Sequence, residues 1–309
     1  MNKYLLLEAL DITRKAAIAC FPWIGKGNEK SADKAAVDSM RNTLNKINID
    51  GTVVIGEGER DKAPMLFIGE KVGIGGEKID IALDPLEGTT ICARGDSGAL
   101  SVLAFAKDGM LLNAPDVYMD KIAIGSRYRK GVIDLDNTPT INIKNLAQEK
   151  GVKTEELCIM ILDRERHNNI IKEIRATGAS IKLIGDGDIS AVLATSMENS
   201  GIDMYIGKGG APEGVLAATA LKSIGGQFQG RLCFKNNEEI DRAKKIGITD
   251  LNKKYNLNDL VKGDAIFVAT GVTDGFLVKG VRKKNNGKIT TESIVTNSAE
   301  KSLYKIFQA

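Results

Sequence analysis

What is scarce in this 309-residue chain narrows its chemistry before any motif is read. It has one histidine, His167. Zinc sites built on several histidines of one chain are therefore excluded, and a serine–histidine–aspartate triad could form only around that residue. The four cysteines, Cys20, Cys92, Cys158 and Cys233, stand far apart and form no Cys-x-x-Cys pair. They read as free thiols in a reducing compartment, and nothing in the sequence activates Cys92 as a nucleophile. No apolar run approaches the roughly 20 residues of a membrane span. Glu8 comes too early for the apolar region of a secretory signal. A net charge of +3 leaves no nucleic-acid footprint. Neither a Walker A string nor a Gly-x-Ser-x-Gly elbow occurs, and Gly73-Ile74-Gly75-Gly76 lacks the spacing of a dinucleotide fingerprint. These absences predict a cytoplasmic chain with no membrane and no nucleic-acid partner. Carboxylates and hydroxyls are left to carry its chemistry.

They are concentrated in Asp84-Pro85-Leu86-Glu87-Gly88-Thr89-Thr90. Ile79, Ile81 and Leu83 alternate as in a half-buried strand, so both acids fall at a strand's carboxyl end. That placement suits a hard divalent cation, which takes oxygen ligands and leaves room for phosphate oxygens. Gly88 permits close approach of a ligand, and the N–H groups of Gly88 and Thr89 can face an anion.

The rest of the chain supplies similar loops. An amphipathic helix over residues 2–20 precedes a second one marked by Ala36, Met40, Leu44 and Ile47. Asp33 lies in that helix's first turn, where an acid by itself reads as a partner of the helix dipole. Thr52-Val53-Val54-Ile55 is a strand ending in Gly56-Glu57-Gly58-Glu59-Arg60-Asp61. Tyr118 reads, on its own, as a half-exposed strand tyrosine. A boundary is expected near Gly151, giving domains 1–151 and 152–309. In the second half, three strand–loop–helix units place Asp163-Arg164-Glu165-Arg166-His167, Gly185-Asp186-Gly187-Asp188 and Gly207-Lys208-Gly209-Gly210-Ala211-Pro212-Glu213 at strand ends. Such units predict an α/β fold with a largely parallel sheet, whose ligands sit at the carboxyl ends of its strands. His167 reads as a bystander at a helix start. No chemistry is expected beyond Gly225, and the basic run Arg282–Lys288 reads as a solvated hairpin turn.

An all-oxygen set of Asp33, Glu57, Asp84, Glu87 and Glu213 points to Mg²⁺ or Mn²⁺. Two such ions can clamp the oxygens of a phosphoryl transfer. Arg164 and Arg166 suit a second anionic group. Asp186 and Asp188 can accept from hydroxyls. The residues thus describe metal-assisted hydrolysis of a phosphate ester on a polyol carrying a second phosphate.

Asp84-Pro85-Leu86-Glu87-Gly88-Thr89 resembles the metal motif of the lithium-sensitive phosphatases, whose usual form has Asp where Glu87 stands. Together with Glu87, the Gly56–Asp61 loop, Gly185–Asp188 and Gly209–Gly214 resemble class II fructose-1,6-bisphosphatase, the bacterial type. The resemblance implies a layered αβαβα sandwich shared with inositol monophosphatases, an α+β N-terminal part, and a homo-oligomer, dimer or tetramer. It implies removal of the 1-phosphate of fructose 1,6-bisphosphate in gluconeogenesis, with Mn²⁺ or Mg²⁺. Position by position, Asp33 and Glu57 would hold one metal, and Asp84, Glu87 and Glu213 the others. Thr89 would help to position and deprotonate the attacking water, with Asp33 and Glu57 assisting. Tyr118, Arg164, Glu165 and Arg166 would contact the far phosphate. Glu87, Gly88, Asp186, Gly187, Asp188 and Gly210 would contact the rest of the substrate. Alternatives are a dual fructose-1,6-/sedoheptulose-1,7-bisphosphatase and a non-catalytic sugar-phosphate sensor on the same fold.

Overall fold

The computed structural model describes residues 4–58 and 65–309. Glu59, Arg60 and Asp61 of the expected acidic loop lie outside the described residues. The chain begins with α1 (Tyr4–Cys20), whose Leu5, Ala9, Ile12 and Ala16 recur at helical spacing and are buried. In α2 (Glu29–Leu44) the Asn28 side chain accepts the Ser31 N–H at 3.0 Å and caps the first turn. Then come β1 (Ile49–Ile55), β2 (Lys71–Val72), β3 (Glu77–Glu87), α3 (Thr89–Arg94) and β4 (Leu100–Lys107). The middle of the chain holds β5 (Tyr118–Ile124), α4 (Pro139–Lys150), β6 (Cys158–Leu162), α5 (Asn168–Ala176), β7 (Ser180–Ile184) and α6 (Asp188–Ala194). It continues through β8 (Met204–Gly210), α7 (Ala211–Ile224), β9 (Gln227–Cys233), α8 (Asn237–Lys245), β10 (Tyr255–Asn256) and α9 (Leu257–Leu260). Last are β11 (Ala265–Gly271), β12 (Arg282–Lys283), β13 (Ile289–Asn297) and β14 (Ser302–Gln308).

Two units result, one of Met1–Asn113 with Val261–Ala309 and one of Ala114–Leu260. The division differs from the one expected near Gly151 for a topological reason. β5 hydrogen-bonds to β8 and β9, while β11 returns to pair with β4.

The first unit's sheet runs β12-β13-β11-β4-β3-β1-β2, with β14 also pairing with β13. Only β1 and β3 run parallel in it, which brings their carboxyl ends side by side. Ile79, Ile81 and Leu83 of β3 pack into one apolar core with Leu10 of α1 and Met40 of α2. The exposed Arg282–Lys288 run is β12 and the turn that leads from it to β13, a hairpin as the sequence predicts.

The second unit's sheet runs β10-β9-β5-β8-β6-β7. The expected parallel character holds for β6 with β7 and β8, but β5 inserts antiparallel between β8 and β9. β6, β7, β8 and β9 consequently share one direction, and Tyr118 at the start of β5 lies at the edge where those four strands end. Ile122 and Ile124 of β5 join α4 and α5 in one core, whereas Lys121 reaches α6 across the other face. This unit is helix–sheet–helix and the first is helix on sheet, so the α/β class and its layering are present within each unit. A second correction concerns Gly207–Gly210. The sequence suggests a loop there, but β8 continues through it, paired with Lys121–Tyr118, and α7 follows at once. No break is needed because glycines let buried side chains crowd the strand.

Candidate active site

In the first unit the parallel pairing fixes the site. Ile55 lies opposite Ala82, so two residues further on Glu57, just past β1, comes level with Asp84, which is still in β3. Pro85 lacks an N–H for the ladder, and the register slips between Asp84 and Glu87. The Leu86 N–H turns back to Asp84 Oδ1 at 3.0 Å. Gly88 then adopts φ +85°, a left-handed conformation that starts α3 with Thr89 as its first residue. Glu87 and Gly88 are buried, while Asp84 and Thr89 are half-buried.

Asp33 enters from α2, where it stands one turn in from the helix start at Glu29 and not in the first turn as expected. Burial raises its carboxyl above the usual range. Glu57 is raised to about 9, first by burial, then by the charges of Asp84 and Asp33. The same two aspartates act on the buried Cys20, whose thiol is raised mainly by burial. Burial likewise pushes Cys92 up to about 11, so neither thiol serves as a nucleophile. Asp33 and Asp84 are therefore near enough to Glu57 to oppose its ionisation. Their oxygens do not close into a ready-made cage: among the described residues no three His, Cys, Asp or Glu side chains are drawn so tightly together. The donor set nonetheless fits hard divalent cations, because a cation reverses the mutual repulsion of buried carboxylates.

In the second unit Tyr118 pairs with Gly210 on one side and Cys233 on the other. The Arg166 guanidinium carbon lies 4.8 Å from the centroid of its ring. Arg166 is itself aimed by two hydrogen bonds to the Lys208 carbonyl, at 3.0 and 2.9 Å. Arg164 donates to its neighbour's carbonyl, Asp163 O, at 3.0 Å, and Glu165 is exposed. His167 ties the ends of β6 and β8 together. Its Nδ1 meets Leu162 O at 2.7 Å, and its Nε2 accepts the Lys208 N–H at 2.8 Å.

Asp186 is exposed and accepts the Gly187 N–H at 3.0 Å. Gly187, at φ +87°, starts α6. Asp188 is buried, and Lys121 forms an ion pair with it. The Lys121 ammonium also donates to Gly210 O at 2.8 Å, and the Tyr205 hydroxyl donates to Asp188 Oδ2 at 3.4 Å. A Cβ on Gly210 would meet a Glu213 carboxylate oxygen at 1.9 Å, so that glycine makes room for Glu213 in the first turn of α7.

The structure thus groups Asp33, Glu57, Asp84, Glu87, Gly88 and Thr89 in one unit. It groups Tyr118, Arg164, Glu165, Arg166, Asp186, Gly187, Asp188, Gly210 and Glu213 in the other. Sequence reasoning missed Lys121, missed Lys235, whose Nζ lies 4.3 Å from the centroid of the Tyr118 ring, and did not foresee that His167 ties two strands together. A lone lysine in a strand carries no signature, although Lys121 interrupting an apolar run is a faint sign of a buried charge.

Acids beside a helix-start hydroxyl in one unit, and cations gathered on an aromatic ring in the other, are the equipment of a phosphate-ester hydrolase. The family model for bacterial fructose-1,6-bisphosphatase, glpX-encoded, matches residues 3–308, and the chain belongs to that family. The chain is 41% identical over 329 residues to the D-fructose 1,6-bisphosphatase class 2/sedoheptulose 1,7-bisphosphatase of Thermosynechococcus vestitus, covering 98% of this chain and 94% of that protein. It is 41% identical over 321 residues to fructose-1,6-bisphosphatase 1 class 2 of Escherichia coli, covering 99% and 95%. Among solved structures, the extragenic suppressor protein suhB of Bartonella henselae aligns at a TM-score of 0.36 and 14% identity over 63% of this chain and 74% of that one.

Proposed function

We propose that the candidate residues of each unit take part in the hydrolysis of fructose 1,6-bisphosphate to fructose 6-phosphate and phosphate. The chain is a fructose-bisphosphatase by family, and divalent-metal dependence comes with that family. The observation that carries the assignment of residues is the raised Glu57 carboxyl, buried beside Asp84 and Asp33, since such a set calls for cations. In this reading Asp33 and Glu57 hold one ion, and Asp84, Glu87 and Glu213 the others, the ions being Mn²⁺ or Mg²⁺. When bound, they stabilise the charge on the phosphoryl oxygens as Lewis acids.

The chain's own residues do the rest. Thr89 positions a water, and its hydroxyl alone is too weak an acid or base to act without the neighbouring carboxylates. Asp33 or Glu57 takes one proton as the water oxygen bonds to phosphorus. The bond between phosphorus and the sugar's 1-oxygen breaks, and that oxygen receives the proton back and leaves as the hydroxyl of fructose 6-phosphate. Gly88 allows close approach of the reacting phosphate. Tyr118, Arg164 and Arg166 hold the far phosphate, with Glu165 beside it. Asp186, Asp188 and the Gly187 and Gly210 backbone orient the sugar. The placement in gluconeogenesis, in the cytoplasm and in a homo-oligomer belongs to the same proposal. A second activity, on sedoheptulose 1,7-bisphosphate, is favoured by the dual name of the Thermosynechococcus relative.

The test is phosphate release from fructose 1,6-bisphosphate, sedoheptulose 1,7-bisphosphate and inositol monophosphate, with Mn²⁺ or Mg²⁺ and with chelator. Metal-dependent turnover of the bisphosphates alone is expected. Thr89→Ala should lower kcat by about 10²-fold or more while binding of substrate changes little. Tight binding of the bisphosphate without turnover under any metal would instead make the chain a sensor.

A further inference from the structure

β9 ends at Cys233, the register partner of Tyr118, and two residues later the chain presents Lys235. Strand alternation puts Lys235 on Tyr118's side of the sheet, as its diagonal neighbour. Its Nζ lies 4.3 Å from the centroid of the Tyr118 ring, against 4.8 Å for the Arg166 guanidinium carbon. Lys235 and Arg166 are both exposed. Nearby Lys208 is compensated by Asp120 at 3.5 Å. Arg166 and Lys235 form no ion pair with a carboxylate among the described residues. Arg166 spends two of its donors on the Lys208 carbonyl and keeps others for a ligand. The Lys235 backbone N–H donates to Glu239 Oε2 at 2.7 Å, but the side-chain ammonium is left on the Tyr118 ring, and a doubly charged anion reaching both cations would offset their charge. The pair also offers complementary chemistry, a planar fork from arginine and a point charge from lysine.

We propose that Lys235 is a specificity-determining residue, completing with Arg166 a two-cation clamp at Tyr118 for the phosphate that is not hydrolysed. The inference rests on the reading that this cluster holds the far phosphate, and it adds a residue from β9 to it. A substrate lacking the second phosphate gains nothing from Lys235. The residue therefore separates bisphosphates from monophosphates and does not contribute to bond breaking.

The experiment compares the full chain with Lys235→Ala, Lys235→Arg and the distant control Lys288→Ala, using fructose 1,6-bisphosphate and fructose 1-phosphate with Mn²⁺. Lys235→Ala should raise KM for the bisphosphate about ten-fold, as loss of one charge-assisted contact does, with kcat within about two-fold. Its kcat/KM on the monophosphate should stay unchanged, and Lys235→Arg should recover most of the loss. An unchanged KM for the bisphosphate, or equal losses on both substrates, overturns the proposal. Calorimetric titration with inorganic phosphate, without metal, reads the clamp independently of turnover. Weaker binding by Lys235→Ala than by wild type supports the clamp even if no ester is hydrolysed, and equal binding overturns it. Failure of the enzymatic reading and failure of the clamp are thus distinguished.

Discussion

His167 shows how a residue outside the chemistry can still set its geometry. Burial lowers its pKa below the usual 6.5, with the Arg166 charge acting in the same direction and the hydrogen bond to Leu162 O opposing them. The native ring is neutral: Nδ1–H donates to Leu162 O, and the Nε2 lone pair accepts from Lys208 N–H. A group with a depressed native pKa contributes stability that is complete above its unfolded pKa and lost as pH falls through its native one. The window here opens near 6.5 and extends downward. His167→Asn should therefore cost about 1–2 kcal/mol at pH 7.5. The gap from wild type should narrow at pH 5.5, where only wild type pays for keeping an imidazole neutral. Urea unfolding of both chains at the two pH values checks this, and a gap that stays constant would refute it. At this scale the sequence was most informative where several chemical letters stood together. Asp84, Glu87, Gly88 and Thr89 form one string, and their placement at a strand end follows from local alternation. Lys121 and Lys235 act through register with distant strands, which no local pattern encodes.

Elements follow the same division. The helices α1 and α2 and the strand β3 are foreseen from the spacing of their apolar residues, and β6, β7 and β8 with their helices from the repeating strand–loop–helix units. β8 departs from expectation at Gly207–Gly210, where glycine reads as loop. The cause is crowding: an ideal Cβ on Gly209 would stand 2.2 Å from Asp188 Oδ2 and 2.8 Å from Lys121 Nζ. The glycine is there so that a buried ion pair can lie against the strand. Gly209→Ala should separate or displace that pair and destabilise the chain by about 1–3 kcal/mol, the usual cost of overpacking. Because Asp188 moves with it, KM for the sugar bisphosphate should rise as well. Chemical denaturation and steady-state kinetics measure the two effects. A Gly209→Ala chain as stable as wild type would mean the pair can shift freely.

For the whole molecule, the division into units was the part least legible in the sequence. The return of β11, β13 and β14 to the first sheet depends on pairing between residues far apart in the chain, such as Val268 with Leu103. Local hydropathy marks these segments as strands without naming their partners. The charge distribution that results has a consequence for metal withdrawal. Asp33, Glu57 and Asp84 belong to the first unit, and the two aspartates raise the cost of ionising Glu57. A divalent ion that binds only the folded chain stabilises it by mass action, by about 2.7 kcal/mol at a hundred-fold excess over Kd. For a chain of this size the melting temperature should rise by about 5 °C or more when Mn²⁺ or Mg²⁺ is added, and chelator should reverse it. Raised to about 9, the Glu57 carboxyl is neutral near pH 7 in the metal-free chain, and Glu57→Gln keeps that neutral form while denying a cation its carboxylate. The variant's metal-free melting temperature should equal that of the wild type, while most of the metal-induced rise disappears. A metal-free chain that collapses on Glu57→Gln would show instead that the carboxylate is needed for folding, and the trio would lose its standing as a metal site.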